Sequence, residues 1–332
     1  MSCSADTALL DIRGLKIHFR TEHGWLHAVD GVDLRMAPGE ALCIVGESGS
    51  GKSVMAMSLS GLVRTPPGRV VGGRILWRGT DLLSLAPAEL GQVRGREISM
   101  VFQEPMTALN PIYTIGEQIA EGLRLCDHVP RTQALARAAD LLDKVGIPGA
   151  SRRLHDYPHQ FSGGMRQRVM IAIALARQPR LLIADEPTSA LDVTVRAQII
   201  DLLRKLQADM GMALMLITHA MDVVAQVAQR VAVMYAGRVV EAGPASAVLA
   251  HPQHPYTAAL LRVARGRHVD APPLRRLPVI PGIVPSLDPP KPGCAFAPRC
   301  GLAQPACHHA APAWREVGRG HQVACILEEP LQ

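Results

Sequence analysis

Hydrophobic and polar residues alternate along the first part of the chain, from about residue 8 to residue 45. The segments LLDIRGLKIHF and WLHAVDGVDLRM carry this period of two, which predicts antiparallel strands joined by a turn around His23-Gly24. The segment ALCIV at 41–45 is apolar throughout, as expected for a buried strand of a parallel sheet. The pattern therefore predicts an N-terminal antiparallel β-subdomain, followed by a strand of a second sheet.

Helical patterns occupy the middle of the chain, where prolines separate GEQIAEGLRL from RTQALARAADLLDKVGI. They predict an inserted helical subdomain at about 105–175. Further on, LLIAD, VRAQIIDLLRKLQADM and ALMLIT alternate between strand and helix character, which is typical of an α/β domain with a parallel sheet. We expect this α/β domain to span residues 1–263.

The last part of the chain has a different composition. Eight prolines lie between residues 271 and 292, a density that excludes a helix or a central strand and indicates a stiff linker. Four of the seven cysteines follow it, in a tail that is too short to form a stable hydrophobic core without a cross-link or a bound metal. Residues 264–332 are therefore predicted to be a Pro-rich linker and a Cys-rich C-terminal extension.

Charge and hydropathy narrow the possible partners. The net charge is +6, from 35 Lys and Arg against 29 Asp and Glu, and the basic residues are scattered, so a nucleic-acid partner is not expected. No apolar run approaches the roughly 18 residues that a membrane-spanning helix needs. The first residues show no secretory signal, and we expect the chain to stay in the cytoplasm.

A glycine-rich sequence stands between the strand ALCIV and the helix VMAMSLSGLV. It matches GxxxxGKS, in which backbone N–H groups and a helix N-terminus bind phosphate. We expect Lys52 to reach the β- and γ-phosphates of a nucleotide and Ser53 to bind Mg²⁺. The predicted phosphate loop comprises Gly46, Glu47, Ser48, Gly49, Ser50, Gly51, Lys52 and Ser53.

A second apolar segment, RLLIADEP at 180–187, ends in two carboxylates. Phosphoryl transfer needs a residue that holds the metal ion and one that orients the attacking water. We expect Asp185 to hold Mg²⁺ and Glu186 to act as the general base.

The segment FSGGMRQR at 161–168 resembles the LSGGQ signature of the nucleotide-binding subunits of ABC transporters, with Phe161 for Leu and Met165 for Gln. The resemblance implies a P-loop NTPase (RecA-like) core that uses ATP and Mg²⁺. It also implies a head-to-tail dimer, in which Ser162, Gly163 and Gly164 bind the ATP of the other subunit. Hydrolysis would then require a partner.

The same resemblance assigns roles to four further residues. Gln103, in MVFQEP, would touch Mg²⁺ or the attacking water, and His219 would hydrogen-bond the γ-phosphate. Asp192, in SALD, would order the dimer interface. Phe19 would stack on adenine, with Trp25 as the alternative.

Several longer segments, among them YPHQFSGGMRQRVMIAIAL and HPQHPYTAALL, resemble the oligopeptide/dipeptide branch of the binding-protein-dependent importers. The resemblance implies a peripheral subunit on the cytoplasmic face of a bacterial inner membrane. Its partners would be a second ATPase subunit, identical or paralogous, two transmembrane permease subunits and an extracytoplasmic substrate-binding protein. The cargo would be a di- or oligopeptide, with nickel or glutathione as alternatives.

The cysteines of the tail follow the spacing C-x5-C-x6-C-x17-C, at Cys294, Cys300, Cys307 and Cys325. Four thiolates suit either an Fe–S cluster or a tetrahedral zinc ion, and unligated thiols are a third reading. The resembling importers carry a 4Fe–4S cluster in such a tail, and no CxxC pair favours zinc. His308 and His309 could replace a cysteine as ligands.

Two other classes of protein share some of these features. An ABC ATPase acting on DNA would need a coiled-coil insertion or a basic stripe, and neither is visible in the sequence. A redox- or metal-sensing regulator would place its main function in the cysteine tail.

Overall fold

The computed structural model describes residues 8–104, 108–189, 191–265, 278–283, 285 and 292–328. The strands are β1 Leu10–Thr21, β2 Gly24–Met36, β3 Ala41–Val45, β4 Gly68–Trp77, β5 Thr80–Asp81, β6 Ile98–Val101, β7 Leu181–Asp185, β8 Ala213–Thr218, β9 Arg230–Tyr235, β10 Arg238–Pro244, β11 Arg315–Gly318 and β12 His321–Val323. The α-helices are α1 Lys52–Leu59, α2 Pro87–Val93, α3 Ile115–Leu125, α4 Arg131–Lys144, α5 Ala150–Arg153, α6 Gly163–Leu175, α7 Val193–Met210, α8 Met221–Val227, α9 Ala245–Ala250 and α10 Pro255–Arg265.

The chain divides into two compact units. The first combines Met1–Ser84 with Ile217–Gln332, and the second is Leu85–Leu216. Most of the predicted Pro-rich linker lies outside the described residues. Within the described part of the chain, no helix has both the length and the apolar character needed to cross a membrane.

In the first unit, four strands form an antiparallel sheet in the order β2-β1-β4-β5. The register pairs Leu10 with Met36 and Ile17 with Val29, and all four side chains are buried. The antiparallel N-terminal subdomain predicted from the alternating pattern is thus confirmed.

The first unit also contains strands of a second sheet, in which parallel and antiparallel pairs are combined. The fully buried β3 pairs in parallel with β9, as its continuous apolar sequence predicted. The antiparallel hairpin β9-β10 follows, and then β12 and β11. The C-terminal extension therefore joins β10 by main-chain hydrogen bonds, with Glu241 opposite Val323.

A buried carboxylate reinforces this connection. Glu241 is fully buried and accepts hydrogen bonds from the backbone N–H groups of Gln253 and His254, and its Oε1 lies 2.8 Å from Nε2 of His321 on β12. Because a buried carboxylate is costly without partners, these contacts hold the two segments together.

The second unit contains the parallel pair β6-β7, with Ile98 opposite Leu181, and the helices α2 to α7. The predicted segment GEQIAEGLRL forms α3, which begins after the N-cap Thr114 and buries Ile119 and Leu123. The segment RTQALARAADLLDK forms α4, which packs against α3 and α6.

Candidate functional site

The predicted phosphate loop connects β3 to α1. Gly46 and Gly51 have φ angles of 155° and 97°, which side chains rarely adopt. A Cβ at Gly46 would lie 2.2 Å from Met234 O, and one at Gly51 would lie 2.2 Å from Ala28 O. The pattern of glycines is therefore needed for the loop to pass so close to β9 and β2.

Lys52, the first residue of α1, is buried and its ammonium group lies inside the loop. Its Nζ donates to Gly46 O at 2.9 Å, to Glu47 O at 2.8 Å and to Ser50 Oγ at 3.3 Å. The loop is also fixed from outside, since Gly237 N donates to Ser50 O at 3.0 Å. The loop is thus preorganised around a positive charge at a helix N-terminus, an arrangement suited to a phosphate.

In the second unit, Asp185 ends β7 and is buried, and Glu186 follows it with a φ of 44°. A positive φ at a residue other than glycine is uncommon and often marks a functional site. Gln103 donates from Nε2 to Glu186 Oε2 at 3.3 Å. The structure therefore brings together the predicted base and the predicted water-contacting glutamine, a contact that the sequence did not predict.

Ser162 and Asp192 are exposed residues that cap the helices α6 and α7. Ser162 Oγ accepts from Met165 N at 3.3 Å, and Asp192 Oδ1 accepts from Val195 N at 2.9 Å. A Cβ at Gly164 would lie 2.6 Å from Cγ1 of Val195, so the two helix starts lie side by side. N–H groups in the first turn of a helix have no partner within the helix and can bind an anion.

The remaining predicted nucleotide ligands lie in the first unit. His219 is exposed directly after β8. The half-buried Phe19 packs against Gly68, where an added Cβ would lie 2.6 Å from the ring, and Trp25 lies under the guanidinium of Arg69 at 4.6 Å. The choice between Phe19 and Trp25 stays a prediction, as do the roles of the other site residues.

The four cysteines of the tail lie in one small region. Cys294 N donates to Cys307 O at 2.7 Å, and a Cβ on Gly293 would lie 2.4 Å from the same oxygen. Burial raises the pKa values of the Cys294, Cys300 and Cys325 thiols, and the charges of neighbouring thiols raise them further. Placed this close, the four groups would repel one another as thiolates unless a cation lay between them.

Cys307 Sγ accepts a hydrogen bond from Gln304 N at 3.5 Å. Backbone N–H groups near Cys294, Cys300 and Cys325 act against burial and lower the pKa values of these thiols. Such bonds stabilise thiolate ligands and tune Fe–S clusters. Four sulfur donors are compatible with an Fe–S cluster and with a tetrahedral zinc ion.

Among the described residues, His18, His27 and Asp30 form one group whose three ligand atoms lie within 4.8 Å of one another. Burial lowers the pKa of His18, whose ring stacks on that of His27 at 3.7 Å. Asp30, however, already pairs with Arg238 at 2.6 Å, and Lys16 lies 3.9 Å away. The carboxylate is neutralised by these cations, and the group is not assigned as a metal site.

Sequence reasoning missed a contact between the phosphate loop and residues 294–300, which are called the cysteine segment below. Arg299, between Cys294 and Cys300, forms an ion pair with Glu47. Tyr256 Oη accepts from Glu47 N at 2.7 Å. The resembling segment HPQHPYTAALL contains this tyrosine, and that likeness was the one signal in the sequence for a specific role of Tyr256.

Two family models match the chain. Residues 29–189 match ABC transporter, and residues 240–307 match Oligopeptide/dipeptide transporter, C-terminal region. A protein of Brucella melitensis biotype 1, named as a peptide import ATP-binding protein, is 51% identical over 327 residues, covering 96% of each chain. A Brucella ovis protein of the same description is 50% identical over 327 residues, again covering 96% of each chain.

Solved structures share the fold. The dimeric, post-hydrolysis ATP-binding cassette MJ0796, bound to ADP and Pi, has a TM-score of 0.64 and 28% identity, and covers 71% of this chain and 98% of its own. The structure of cbiO1 from Clostridium perfringens, part of the ABC transporter complex cbiONQ, has a TM-score of 0.63 and 27% identity. It covers 74% of this chain and 91% of its own. The chain belongs to the ABC transporter ATP-binding family, in the branch that carries the oligopeptide/dipeptide C-terminal region.

Proposed function

We propose that this chain hydrolyses ATP to energise the import of di- or oligopeptides across the cytoplasmic membrane. The match of residues 240–307 to the oligopeptide/dipeptide transporter region carries the assignment of the cargo. The names of the Brucella relatives support it. Import of nickel or glutathione by the same machinery is the alternative.

We propose the following roles for the site residues. The phosphate loop binds the triphosphate through its N–H groups and Lys52, and His219 contacts the γ-phosphate. Glu186 accepts a proton from the attacking water, and Gln103, which already donates to its carboxylate, keeps that carboxylate oriented. Mg²⁺ prefers oxygen ligands and would be held by Ser53, Gln103 and Asp185, where it would neutralise phosphate charge.

The exposed helix starts support a partner ATPase subunit. Ser162 and Gly163 are exposed at the start of α6, with Gly164 next to them, and Asp192 is exposed at the start of α7. We propose that they face the nucleotide of a second ATPase subunit, identical or paralogous, in a head-to-tail dimer. Two permease subunits and an extracytoplasmic binding protein complete the importer, with this chain on the cytoplasmic face of the membrane.

Transport by the purified complex tests the cargo. The complex, isolated through a tag on this chain and placed in liposomes with its binding protein, is expected to take up labelled dipeptides only when ATP is present on the side of this chain. Unlabelled peptide should compete, whereas nickel and glutathione should not. Uptake of nickel or glutathione but no peptide would contradict the peptide assignment while leaving the ATPase assignment intact.

We further propose that Cys294, Cys300, Cys307 and Cys325 hold a 4Fe–4S cluster, with zinc as the alternative. The chain purified without oxygen is expected to contain iron and inorganic sulfide in equal amounts, and Cys307→Ser should lose both. Cys126→Ser, which changes an exposed cysteine elsewhere, is the matched control and should retain the cluster. Zinc without sulfide in the wild-type chain would contradict the cluster.

A further inference from the structure

Arg299 connects the cysteine segment to the phosphate loop within the first unit. Its Nη1 lies 2.6 Å from Glu47 Oε2 and its Nη2 lies 3.0 Å from Glu47 Oε1, which is a bidentate pair. The Arg299 side chain is 4% exposed and that of Glu47 is 27% exposed. The pair is thus shielded on the arginine side and open to solvent on the side of the carboxylate.

The other donors of the guanidinium are also occupied. Its Nε donates to Pro281 O at 2.8 Å, Nη1 to Tyr235 Oη at 3.3 Å and Nη2 to Ile280 O at 3.4 Å. A planar group held at all these points has little freedom to reorient. The Glu47 carboxylate is therefore held by a guanidinium group that is itself fixed in place.

Glu47 is the second residue of the phosphate loop, and its backbone is held on both sides. Its N–H donates to Tyr256 Oη at 2.7 Å, and its carbonyl accepts from Lys52 Nζ at 2.8 Å. A shift of Glu47 would move the carbonyl that orients the ammonium group of Lys52. Glu47 thus relays a displacement of Arg299 to the group predicted to bind the phosphates.

An aromatic cluster supports this arrangement. The ring of Phe296, three residues before Arg299, lies 5.2 Å from that of Tyr235 and 5.3 Å from that of Tyr256. Burial lowers the pKa of His254 to about 4, so its imidazole is neutral and Nδ1 accepts from Tyr256 N at 3.1 Å. The cysteine segment and Tyr256 therefore pack as one body beside the loop.

The backbone of Arg299 is fixed by the turn between two cysteines. Ala297 N donates to Cys294 O at 3.0 Å, and Cys300 N donates to Ala297 O at 3.3 Å, around the 3₁₀ turn Ala297–Arg299. Any ligand that ties the sulfurs of Cys294 and Cys300 holds both ends of this turn. Without it, the turn rests on a few backbone hydrogen bonds.

The charges of Arg299 and Glu47 also affect nucleotide binding. Glu47 places a carboxylate in a loop that is expected to receive a triphosphate, and like charges at this range repel each other strongly outside bulk water. The Arg299 guanidinium cancels that charge. Loss of Arg299 would therefore harm nucleotide binding more than loss of Glu47, which removes the repelling charge itself.

We propose that Arg299 is a positioning residue for nucleotide binding, through which the ligated state of the cysteine cluster sets the affinity of the phosphate loop. The inference rests on the proposed function, because it assumes that the loop binds ATP. It predicts that Arg299→Gln weakens ATP binding roughly 10- to 100-fold, as expected when one partner of a hydrogen-bonded charge pair is removed. Glu47→Gln in the same chain should restore most of the affinity.

The test measures the dissociation constant of a fluorescent ATP analogue with Mg²⁺ in the full chain, for wild type, Arg299→Gln, Glu47→Gln and the double variant. Arg299→Lys keeps the charge without the bidentate geometry and should be intermediate. The melting temperature of each variant is recorded in parallel. If Arg299 only stabilised the fold, the double variant would have a lowered melting temperature, and its affinity for the ATP analogue would stay as weak as that of Arg299→Gln.

The matched control is the Arg177–Asp127 pair in the second unit. It is also bidentate, at 2.9 Å and 2.8 Å, and its side chains are 8% and 28% exposed. Arg177→Gln should leave the affinity within twofold of wild type. Weakening by Arg177→Gln as large as that by Arg299→Gln would overturn the specific role of Arg299.

Cys300→Ser tests the link to the cluster. It should weaken binding in the wild-type background and add no further loss in the Arg299→Gln/Glu47→Gln background. An equal loss in both backgrounds would overturn the coupling through this pair. Wild-type affinity in Arg299→Gln would overturn the inference alone, whereas a wild-type chain that binds no ATP analogue would contradict the proposed function as well.

Discussion

A Glu186→Gln chain is expected to bind ATP as tightly as wild type and to hydrolyse it at least about 100-fold more slowly, because general base catalysis typically contributes that much or more. The amide keeps the shape of the side chain and can still lie beside Gln103, whose Nε2 donates to Glu186 in the structure. It cannot accept a proton from water. Bound ATP should then persist and hold two subunits together.

The measurements are phosphate release at saturating ATP, affinity for ATP, and the dimer fraction with ATP by size-exclusion chromatography. Glu121→Gln, which changes an exposed glutamate on α3, is the control and should match wild type in all three. Hydrolysis at the wild-type rate in Glu186→Gln would show that another group acts as the base.

A Lys52→Met chain should fail earlier, at binding. The ammonium group is buried and donates to Gly46 O, Glu47 O and Ser50 Oγ, so methionine removes both a phosphate ligand and the contacts that organise the loop. We expect affinity for ATP to fall at least about 10-fold and the maximal rate of hydrolysis at least about 100-fold, since one preorganised donor alone supplies that much.

Lys205→Met is the control, since Lys205 is exposed on α7 and its loss changes the net charge equally. Affinity and phosphate release are measured as for Glu186→Gln. The two variants together separate binding from chemistry, because ATP-dependent dimers are expected in Glu186→Gln and absent in Lys52→Met. Dimers in Lys52→Met would mean that Lys52 is dispensable for nucleotide binding.

Local motifs made the phosphate loop predictable. The residues Gly46 to Ser53 stand in a strand-to-helix context that is visible in the sequence, and β3 and α1 form where that context places them. The reason is physical, since a short apolar run and a following helix start are local properties of the chain. The φ angles of Gly46 and Gly51 make sense only with Met234 O and Ala28 O beside them.

The C-terminal extension was less predictable. Its composition indicated a tail attached through a linker, and the cysteine spacing indicated ligands. The strand pairing of Glu241 with Val323, and the burial of Glu241 against His321, depend on residues about 80 positions apart. No periodicity within either segment reveals such pairing, because register between distant strands is decided by packing.

The sequence by itself determined that this protein is an ATP-hydrolysing subunit, through GESGSGKS, the Asp185-Glu186 pair and the signature FSGGM, because each is a short motif that can be recognised from consecutive residues. Tertiary structure decided what surrounds that chemistry. Glu47 and Arg299 are 252 positions apart and meet only because the cysteine segment folds back against the phosphate loop. Such a contact does not change the secondary structure that either segment favours, and it leaves no pattern in the neighbouring sequence. Only the packed structure therefore shows it.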